Sequence, residues 1–201
     1  MSDKVLVPPA HTVPTAFTRA QLDWLPWLEP LAVEAMTERH LASLVDAARV
    51  KSDYFRLLAR DPDVLEARTR TDKDIFYNPD AGLPRAEREL AAAATSRLNG
   101  CIYCASVHAR FAATYSKRVL EVERLLAEGT GADLDARWNA IVAASVALTS
   151  TPVAFGPQHV DALRGQGLDD EAIVDVINAA SFFNWANRLM LSLGEPTPAK
   201  A

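Results

Sequence analysis

The sequence is poor in the residues that mark several large classes of protein. Its 201 residues include only two cysteines, too few for the disulfide framework of a small secreted domain. No apolar run approaches the roughly 20 residues that a membrane-spanning helix needs. The first twenty residues, MSDKVLVPPAHTVPTAFTRA, lack the continuous apolar segment of a secretory signal peptide. We therefore expect a water-soluble globular protein in the cytoplasm, with no membrane partner.

Positive charge is also scarce and dispersed. The net charge is -5, and the 21 lysines and arginines are scattered along the chain. Because no basic stripe could follow a phosphate backbone, nucleic acid is not expected as a partner. Hydrophobic residues make up 49% of the sequence, which at this length is enough to build one core. We predict a single domain over residues 1–201.

Helical periodicity recurs along the chain, whereas the strict alternation of a half-buried strand does not occur, so the fold is predicted to be all-α. Residues 1–36 are rich in proline and contain Trp24 and Trp27. We interpret them as an N-terminal arm that these two aromatics hold against the body or a neighbouring subunit. A first helix is predicted over about 37–59, before the helix-breaking pair Asp61-Pro62.

Two helices that form the redox core are predicted within residues 84–126. The first starts at Pro84 and stops or bends at Asn99-Gly100, because both of these residues tolerate left-handed backbone angles. The second starts at or near Cys101. A C-terminal helical half, residues 134–194, should end with a long helix that Asp169 caps and Gly194 terminates.

Two stretches of the sequence are distantly alike. Sliding the chain by 85 positions superposes Ser96 on Ser181 and Asn99 on Asn184. An ancient duplication of a helical unit and chance similarity between alanine-rich helices both account for this match. The second stretch has no cysteine, so thiol chemistry is expected only in the first.

Residues 99–108, NGCIYCASVH, hold both cysteines and one of the four histidines. On a helix, Cys101, Cys104 and His108 lie at positions i, i+3 and i+7 and therefore share one face. A helix that starts just after Gly100 would have both thiols in its first turn, where free N–H groups and the helix dipole lower a thiol pKa. The spacing predicts thiols that react near neutral pH.

Glu89 can join this group only if the chain folds back on itself. In one straight helix it would stand 12 residues from Cys101, about 18 Å away at 1.5 Å per residue. If the two helices pack antiparallel about the break, Glu89 comes level with His108. A carboxylate that holds an imidazole, which in turn serves a thiol, is the general arrangement for activating a cysteine nucleophile.

Two plainer interpretations of the cysteines remain open at this point. A buried structural pair would need no histidine on the same face. A zinc ion could take Cys101, Cys104, His108 and Glu89, although structural zinc sites usually draw a second ligand pair from elsewhere in the chain. We predict neither a bound metal nor a tightly bound cofactor.

Glu89, Cys101, Cys104 and His108, at these spacings, resemble the motif of the alkylhydroperoxidase D branch of the carboxymuconolactone decarboxylase family. The stretch LRGQGLDDEAIVDVINAASFFNWANRL also looks like the peroxidase-related members. The resemblance implies an alkylhydroperoxidase D-like helical fold. It also implies an oxidoreductase acting on peroxide, a thiol peroxidase that reduces organic hydroperoxides or hydrogen peroxide and assembles as a homo-oligomer, a trimer or hexamer.

The resemblance further implies a role for each residue of the motif. Cys104 corresponds to the peroxidatic cysteine, which becomes a sulfenic acid, and Cys101 to the cysteine that resolves it to a disulfide. His108 and Glu89 correspond to the proton relay. A dithiol protein, thioredoxin-like or lipoyl-bearing, would then reduce the disulfide.

One position departs from the family pattern. Well-known members carry a histidine immediately before the peroxidatic cysteine, and this chain has Tyr103 there. A phenol with a pKa near 10 is a poor base at neutral pH, so slower peroxide reduction or a different substrate is expected. Two other functional classes fit the same sequence: a lactone decarboxylase or isomerase, which would not need the dithiol, and a non-catalytic redox-sensing disulfide module.

Overall fold

The computed structural model describes residues 6, 10 and 12–199. Their helices are α1 (Glu38–Ser43), α2 (Asp53–Leu58), α3 (Pro62–Tyr77), α4 (Arg85–Leu98), α5 (Ile102–Ser116), α6 (Val119–Glu128), α7 (Ala136–Thr149), α8 (Pro157–Gly165) and α9 (Asp170–Leu193). Short 3-10 helices cover Val33–Ala35 and Ala47–Lys51. The predicted all-α fold is confirmed, and among these residues no helix is long and apolar enough to cross a membrane.

A small antiparallel sheet, which the sequence analysis did not predict, joins β1 (Leu22–Pro26) to β2 (Gly194–Pro198). Its strands contain three prolines, which are tolerated because both strands are edge strands. The alternation of polar and apolar residues is not visible in such short segments, so the sequence pattern did not predict these strands. The pairing ties the N-terminal region to the end of α9.

Part of the predicted N-terminal arm, residues 1–5, 7–9 and 11, lies outside the described residues. In the described part, the buried Trp24 ring packs edge-on against Tyr54, with 5.4 Å between ring centroids. The Trp27 backbone N–H donates to the Leu193 carbonyl at 2.8 Å. This segment is therefore held against the body of its own chain.

The single helix predicted over about 37–59 is wrong. The chain forms α1, a 3-10 helix and α2 instead. Thr37 does cap α1, because its Oγ1 accepts the His40 N–H while His40 Nδ1 accepts the Thr37 N–H. Val45 then takes a φ of 61°, which interrupts the helix. Leu44 packs beside this turn with Ala59 and Leu65. The helical spacing of apolar residues therefore continues across the interruption, and the sequence pattern did not reveal it.

Helix α3 was also missed. Pro62 was expected only to end a helix, but it is the first residue of α3, where a missing N–H costs nothing. The Asp61 carboxylate accepts the Val64 N–H at 3.2 Å and caps the helix. This omission matters, because α3 contributes Arg68 and Phe76 to the centre of the molecule.

Helices α4 and α5 form the antiparallel pair that the motif required. Helix α4 ends at Leu98, Gly100 has a φ of 78°, and Cys101 is the N-cap of α5. Alanines 91–94 are completely buried, and their small side chains let the neighbouring helices approach α4 closely. The predicted break at Asn99-Gly100 is confirmed.

The helices predicted in the C-terminal half are present. Asp135 and Asp169 cap α7 and α9 through their carboxylates, and α9 ends before Gly194. Helix α4 packs against α5, α7 and α9. Asn99 Nδ2 donates to Asn184 Oδ1 at 3.1 Å, so the two asparagines that the 85-residue shift superposes are in contact; the duplication itself stays a prediction.

The close approach of Gly194 to Trp24 gives a stability prediction. Gly194 has ordinary extended backbone, with a φ of 175°, but a Cβ there would overlap the Leu25 carbonyl and the Trp24 ring. We expect Gly194→Ala to lower the free energy of unfolding by about 1–3 kcal/mol, the usual cost of overpacking. Urea denaturation measures it. Gly131→Ala is the control, since its Cβ would meet nothing within 4 Å; equal stabilities for the two variants would contradict the prediction.

Candidate active site

Both cysteines lie at the start of α5. Cys101 is the N-cap and Cys104 lies in the first turn. Both are free thiols and both are buried, with 1% and 5% of their surfaces exposed. The Cys101 backbone N–H donates to the Ser96 carbonyl at 2.9 Å, which fixes the chain as it leaves α4. The helix break therefore puts two sulfurs in a dry environment beside α4.

The two thiols do not ionise alike. The pKa of Cys101 is lowered, mainly because the Cys104 thiol faces its sulfur as a donor, with further contributions from the Cys104 backbone N–H and the Asn187 side chain. Burial raises the pKa of Cys104 well above its usual value, and the neighbouring Cys101 adds to the rise. The expected lowering of both pKa values is wrong for Cys104, because desolvation outweighs the field of the helix.

Glu89 and His108 meet across the α4–α5 pair. His108 Nδ1 lies 2.6 Å from Glu89 Oε2, and both side chains are buried. Arg85 Nε lies 3.2 Å from the other carboxylate oxygen. A carboxylate beside Nδ1 favours the tautomer with the proton on Nδ1, which leaves Nε2 free to accept a proton. Folding back at the break has joined two residues that one continuous helix would separate.

Two phenylalanines hold the imidazole in place. The Phe183 ring lies 3.9 Å from the His108 ring, centroid to centroid, at an interplanar angle of 64°. The Phe76 ring lies 5.2 Å from it. With Glu89 at one nitrogen and these rings at its faces and edges, the imidazole has a fixed orientation.

Cys104, His108 and Glu89 line one cavity, which has a volume of about 180 Å³. An engineered cavity of about 150 Å³ binds benzene, so this space fits a molecule with one ring. Seven of its sixteen lining residues are aromatic: Tyr54, Phe55, Phe76, Tyr77, Tyr103, Phe111 and Phe183. The cavity therefore favours small apolar or aromatic molecules.

Tyr103, at the position that departs from the family pattern, lies in the wall of this cavity. Burial raises the pKa of its phenol. The side chain therefore stays neutral at physiological pH, where it can donate a hydrogen bond but is a weak base. Because Tyr103 stands where the family pattern has a histidine, the imidazole that lines this cavity is that of His108.

Cys101 lines a second cavity of about 210 Å³, between the start of α5 and the small sheet. Its wall also includes Trp24, Met190 and Pro196. The two cavities share Tyr103 and Met190 but each contains only one of the two cysteines. The sulfurs therefore face two different spaces while remaining in contact with each other.

The sequence analysis missed three residues that surround the sulfurs. Arg68 and Asp72 of α3 line the Cys104 cavity and form an ion pair at 3.2 Å. Asn187 of α9 is completely buried and donates from Nδ2 to Ser96 Oγ at 3.0 Å. Two features of the sequence could have indicated these residues. One is an arginine and an aspartate four residues apart in the helix that was not recognised, and the other is a polar residue on the apolar face of α9.

Within residues 6, 10 and 12–199, no group of three or more histidine, cysteine, aspartate or glutamate side chains is arranged to hold a metal ion. Glu89 is engaged by His108 and Arg85 instead of facing the sulfurs as a ligand. The geometry is that of a thiol pair beside a carboxylate–imidazole pair. Such a site performs nucleophilic and redox chemistry at sulfur.

A buried dithiol at a helix start, with a histidine on the same helix whose ring contacts a carboxylate of the preceding antiparallel helix, lies here in an alkylhydroperoxidase D-like helical fold. Residues 62–147, which contain all four motif residues, match the model of the carboxymuconolactone decarboxylase family. The resemblance inferred from the motif is confirmed, because the matched segment carries the whole site.

Solved structures share the fold over most of their length. An alkylhydroperoxidase AhpD core, an uncharacterized peroxidase-related protein from Ralstonia eutropha JMP134, matches with a TM-score of 0.70 and 24% identity over 83% of this chain and 88% of that one. A peroxidase-related protein from Silicibacter sp. TM1040 matches at 0.69, with 24% identity and coverages of 84% and 89%. The debrominase Bmp8 matches at 0.65, with 18% identity and coverages of 82% and 88%. No curated protein matches the sequence.

The unequal thiols give a prediction in solution. Ultraviolet absorbance of the thiolate during a pH titration should show one group in the reduced protein that ionises below the ordinary thiol pKa of about 8.5. Cys104→Ala removes the main cause of the lowered pKa and should raise the pKa of Cys101. In Cys101→Ala, the remaining thiol should titrate above about 8.5. A low pKa that persists in Cys101→Ala would reverse the assignment.

Proposed function

We propose that this protein is a thiol peroxidase that reduces organic hydroperoxides, or hydrogen peroxide, through a disulfide cycle between Cys104 and Cys101. The observation that carries the proposal is the shared cavity of Cys104, His108 and Glu89, with the Cys101 sulfur against Cys104. A nucleophile, a proton carrier, its orienting carboxylate and a resolving thiol are the groups that such a cycle needs. The peroxidase-related proteins of the same fold support it.

Cys104 is the peroxidatic cysteine in this proposal, because it lines the cavity with the histidine. Because its pKa is raised and that of Cys101 is lowered, the singly ionised pair carries its negative charge on Cys101. The cycle begins when the Cys104 proton passes to the Cys101 sulfur. Because thiolate nucleophilicity rises with thiol pKa, the small population of Cys104 thiolate is intrinsically the more reactive.

The Cys104 thiolate attacks the terminal oxygen of the hydroperoxide. An S–O bond forms, the O–O bond breaks, and the leaving alkoxide takes the proton from Cys101, with His108 Nε2 as carrier. The Cys101 thiolate then attacks the Cys104 sulfenic acid, an S–S bond forms, and hydroxide leaves. In sum, one dithiol monoanion and one hydroperoxide give a disulfide, an alcohol and hydroxide, so two electrons pass from sulfur to oxygen.

A dithiol partner, thioredoxin-like or lipoyl-bearing, returns the disulfide to the reduced state. In this proposal the external thiol approaches buried Cys101 from the side of the second cavity, which Cys101 lines and Cys104 does not. A reducing cytoplasmic location fits this need for thiols. We also propose that the protein assembles as a homo-oligomer, a trimer or hexamer.

Reductive dehalogenation is a second candidate, favoured by the size and aromatic wall of the cavity. The debrominase Bmp8 shares the fold, and a variant of it with a cysteine replaced by alanine has been crystallised with 2,3,4-tribromopyrrole. Here the Cys104 thiolate would attack the halogen of a small ring. The ring would take a proton, and Cys101 would displace halide from Cys104 to give the same disulfide.

Cysteine variants test the peroxidase proposal. With a dithiol reductant present, we expect Cys104→Ser to lose peroxide turnover by about 10³-fold, because the nucleophile is removed. Cys101→Ser should complete one oxidation and stop as a Cys104 sulfenic acid, detectable by mass spectrometry after trapping. Equal peroxide consumption by both variants and the wild type would refute the proposal.

The same variants separate the alternatives. Hydrolytic or decarboxylase activity toward a small lactone that survives Cys104→Ser would favour the lactone enzyme. A disulfide that forms with peroxide but never turns over with any dithiol would favour the redox-sensing module. Halide release from a bromopyrrole with no peroxide consumption would favour the second candidate.

The proton relay has its own matched pair of variants. Glu89→Gln should lower kcat by about 10²-fold, because the amide cannot stabilise a protonated His108. Glu87→Gln is the control: Glu87 lies on the same helix and pairs with Arg137 through both oxygens at 2.7 Å, away from the cavity. A loss of the same size in both variants would indicate a structural effect and contradict the relay.

A further inference from the structure

Two hydrogen-bond donors that the proposed cycle does not use belong to residues that line the Cys104 cavity. They are Nε of Arg68 and the hydroxyl of Tyr54, and each of these atoms is buried and has no hydrogen-bond partner in the described part of the chain. Both residues are 8% exposed. Buried donors are usually satisfied in folded proteins, and an unsatisfied one needs an explanation such as a catalytic role or a bound water or ion.

The charges around the cavity favour an anionic acceptor. Arg68 and Arg49 contact the same carboxylate oxygen of Asp72, at 3.2 and 3.5 Å. Two guanidinium groups therefore share one negative charge. The other carboxylate of the cavity wall, Glu89, already interacts with His108 and Arg85. Arg68 therefore shares its carboxylate partner with Arg49, and a buried positive charge is stabilised by a further partner of opposite sign.

Both donors are held in place before any ligand arrives. The Arg68 guanidinium lies 5.1 Å from the Phe182 ring centroid and 5.6 Å from that of Phe55. The Tyr54 ring packs edge-on against Trp24. Burial also raises the pKa of Tyr54, so its hydroxyl remains a neutral donor. A preorganised pair of donors loses little entropy when it binds an acceptor.

We propose that this cavity binds a small single-ring aromatic carboxylate, with the carboxylate on Arg68 and Tyr54 and the ring among the aromatic side chains next to Cys104. The volume limits the ligand to one ring with small substituents, and the guanidinium selects the anion. For the proposed peroxidase, the matching substrates are aromatic hydroperoxides that carry a carboxylate, and this part of the inference rests on the proposed function. The binding site itself does not depend on that function.

Benzoate is the probe for the binding site, measured by titration calorimetry on the reduced full-length chain at constant ionic strength. We expect benzoate to bind, and Arg68→Gln to weaken its binding by about tenfold or more. Tyr54→Phe should weaken it by about fivefold. Benzyl alcohol, the neutral analogue, should bind more weakly and be insensitive to Arg68→Gln. Failure of benzoate to bind, or equal affinity for benzoate and benzyl alcohol, would overturn the proposal.

Two further variants exclude a general structural effect. Asp72→Asn removes the carboxylate that competes for Arg68 and should tighten benzoate binding, a gain that a damaged fold would not produce. Arg97→Gln, on the far side of α4 beside Phe17, is the matched control and should leave affinity unchanged. Weaker binding in Asp72→Asn, or an equal loss in Arg97→Gln and Arg68→Gln, would contradict the assignment.

The binding and catalytic proposals can fail separately. Cys104→Ser should bind benzoate as the wild type does, because the thiol does not hold the carboxylate. If the protein turns over no peroxide yet binds benzoate through Arg68, the proposed function fails and this inference stands. If it turns over cumene hydroperoxide but a carboxylated analogue shows no lower KM in the wild type than in Arg68→Gln, the substrate class fails and the peroxidase stands.

Discussion

Gly100 reverses the chain at a φ of 78°, and each contact of the candidate site requires that reversal. It ends α4, makes Cys101 the N-cap of α5 and brings Glu89 within 2.6 Å of His108. The alanines of α4 make the reversal compact, because larger side chains would hold the helices apart. One backbone position therefore brings together the sulfurs, the imidazole and the carboxylate.

Burial then determines how the assembled groups share protons. A helix start alone would favour thiolate at both cysteines, but desolvation acts more strongly on Cys104 than the helix does. Cys101 is therefore the first of the two thiols to ionise, and in the proposed cycle the Cys104 thiolate forms by one proton transfer to Cys101. In the proposed cycle, this arrangement would protect Cys104 from unselective oxidation, while the cavity would select the molecules that reach it.

The local site was predictable from sequence because it depends on spacing and on one turn. The α4–α5 pair could be predicted from three features of the sequence: helix periodicity, the Asn99-Gly100 turn signal, and the residue types at 89, 101, 104 and 108. The surroundings of the sulfurs were not predictable. Arg68 lies on a helix that Pro62 begins, and the proline was interpreted as a stop signal. The effect of burial on Cys104, and the position of Asn187 beside it, depend on how α3 and α9 pack, which no local pattern encodes.

The contact between Glu89 and His108 is the most direct test of this account. Nitrogen-15 NMR of histidine-labelled reduced protein distinguishes the two imidazole tautomers, and His108→Asn identifies the His108 signals. The account predicts a proton on Nδ1 of His108, a strongly downfield Nδ1–H resonance, and loss of that resonance in Glu89→Gln. A His108 that carries its proton on Nε2, unchanged by Glu89→Gln, would contradict the claim that Glu89 prepares this imidazole to carry protons.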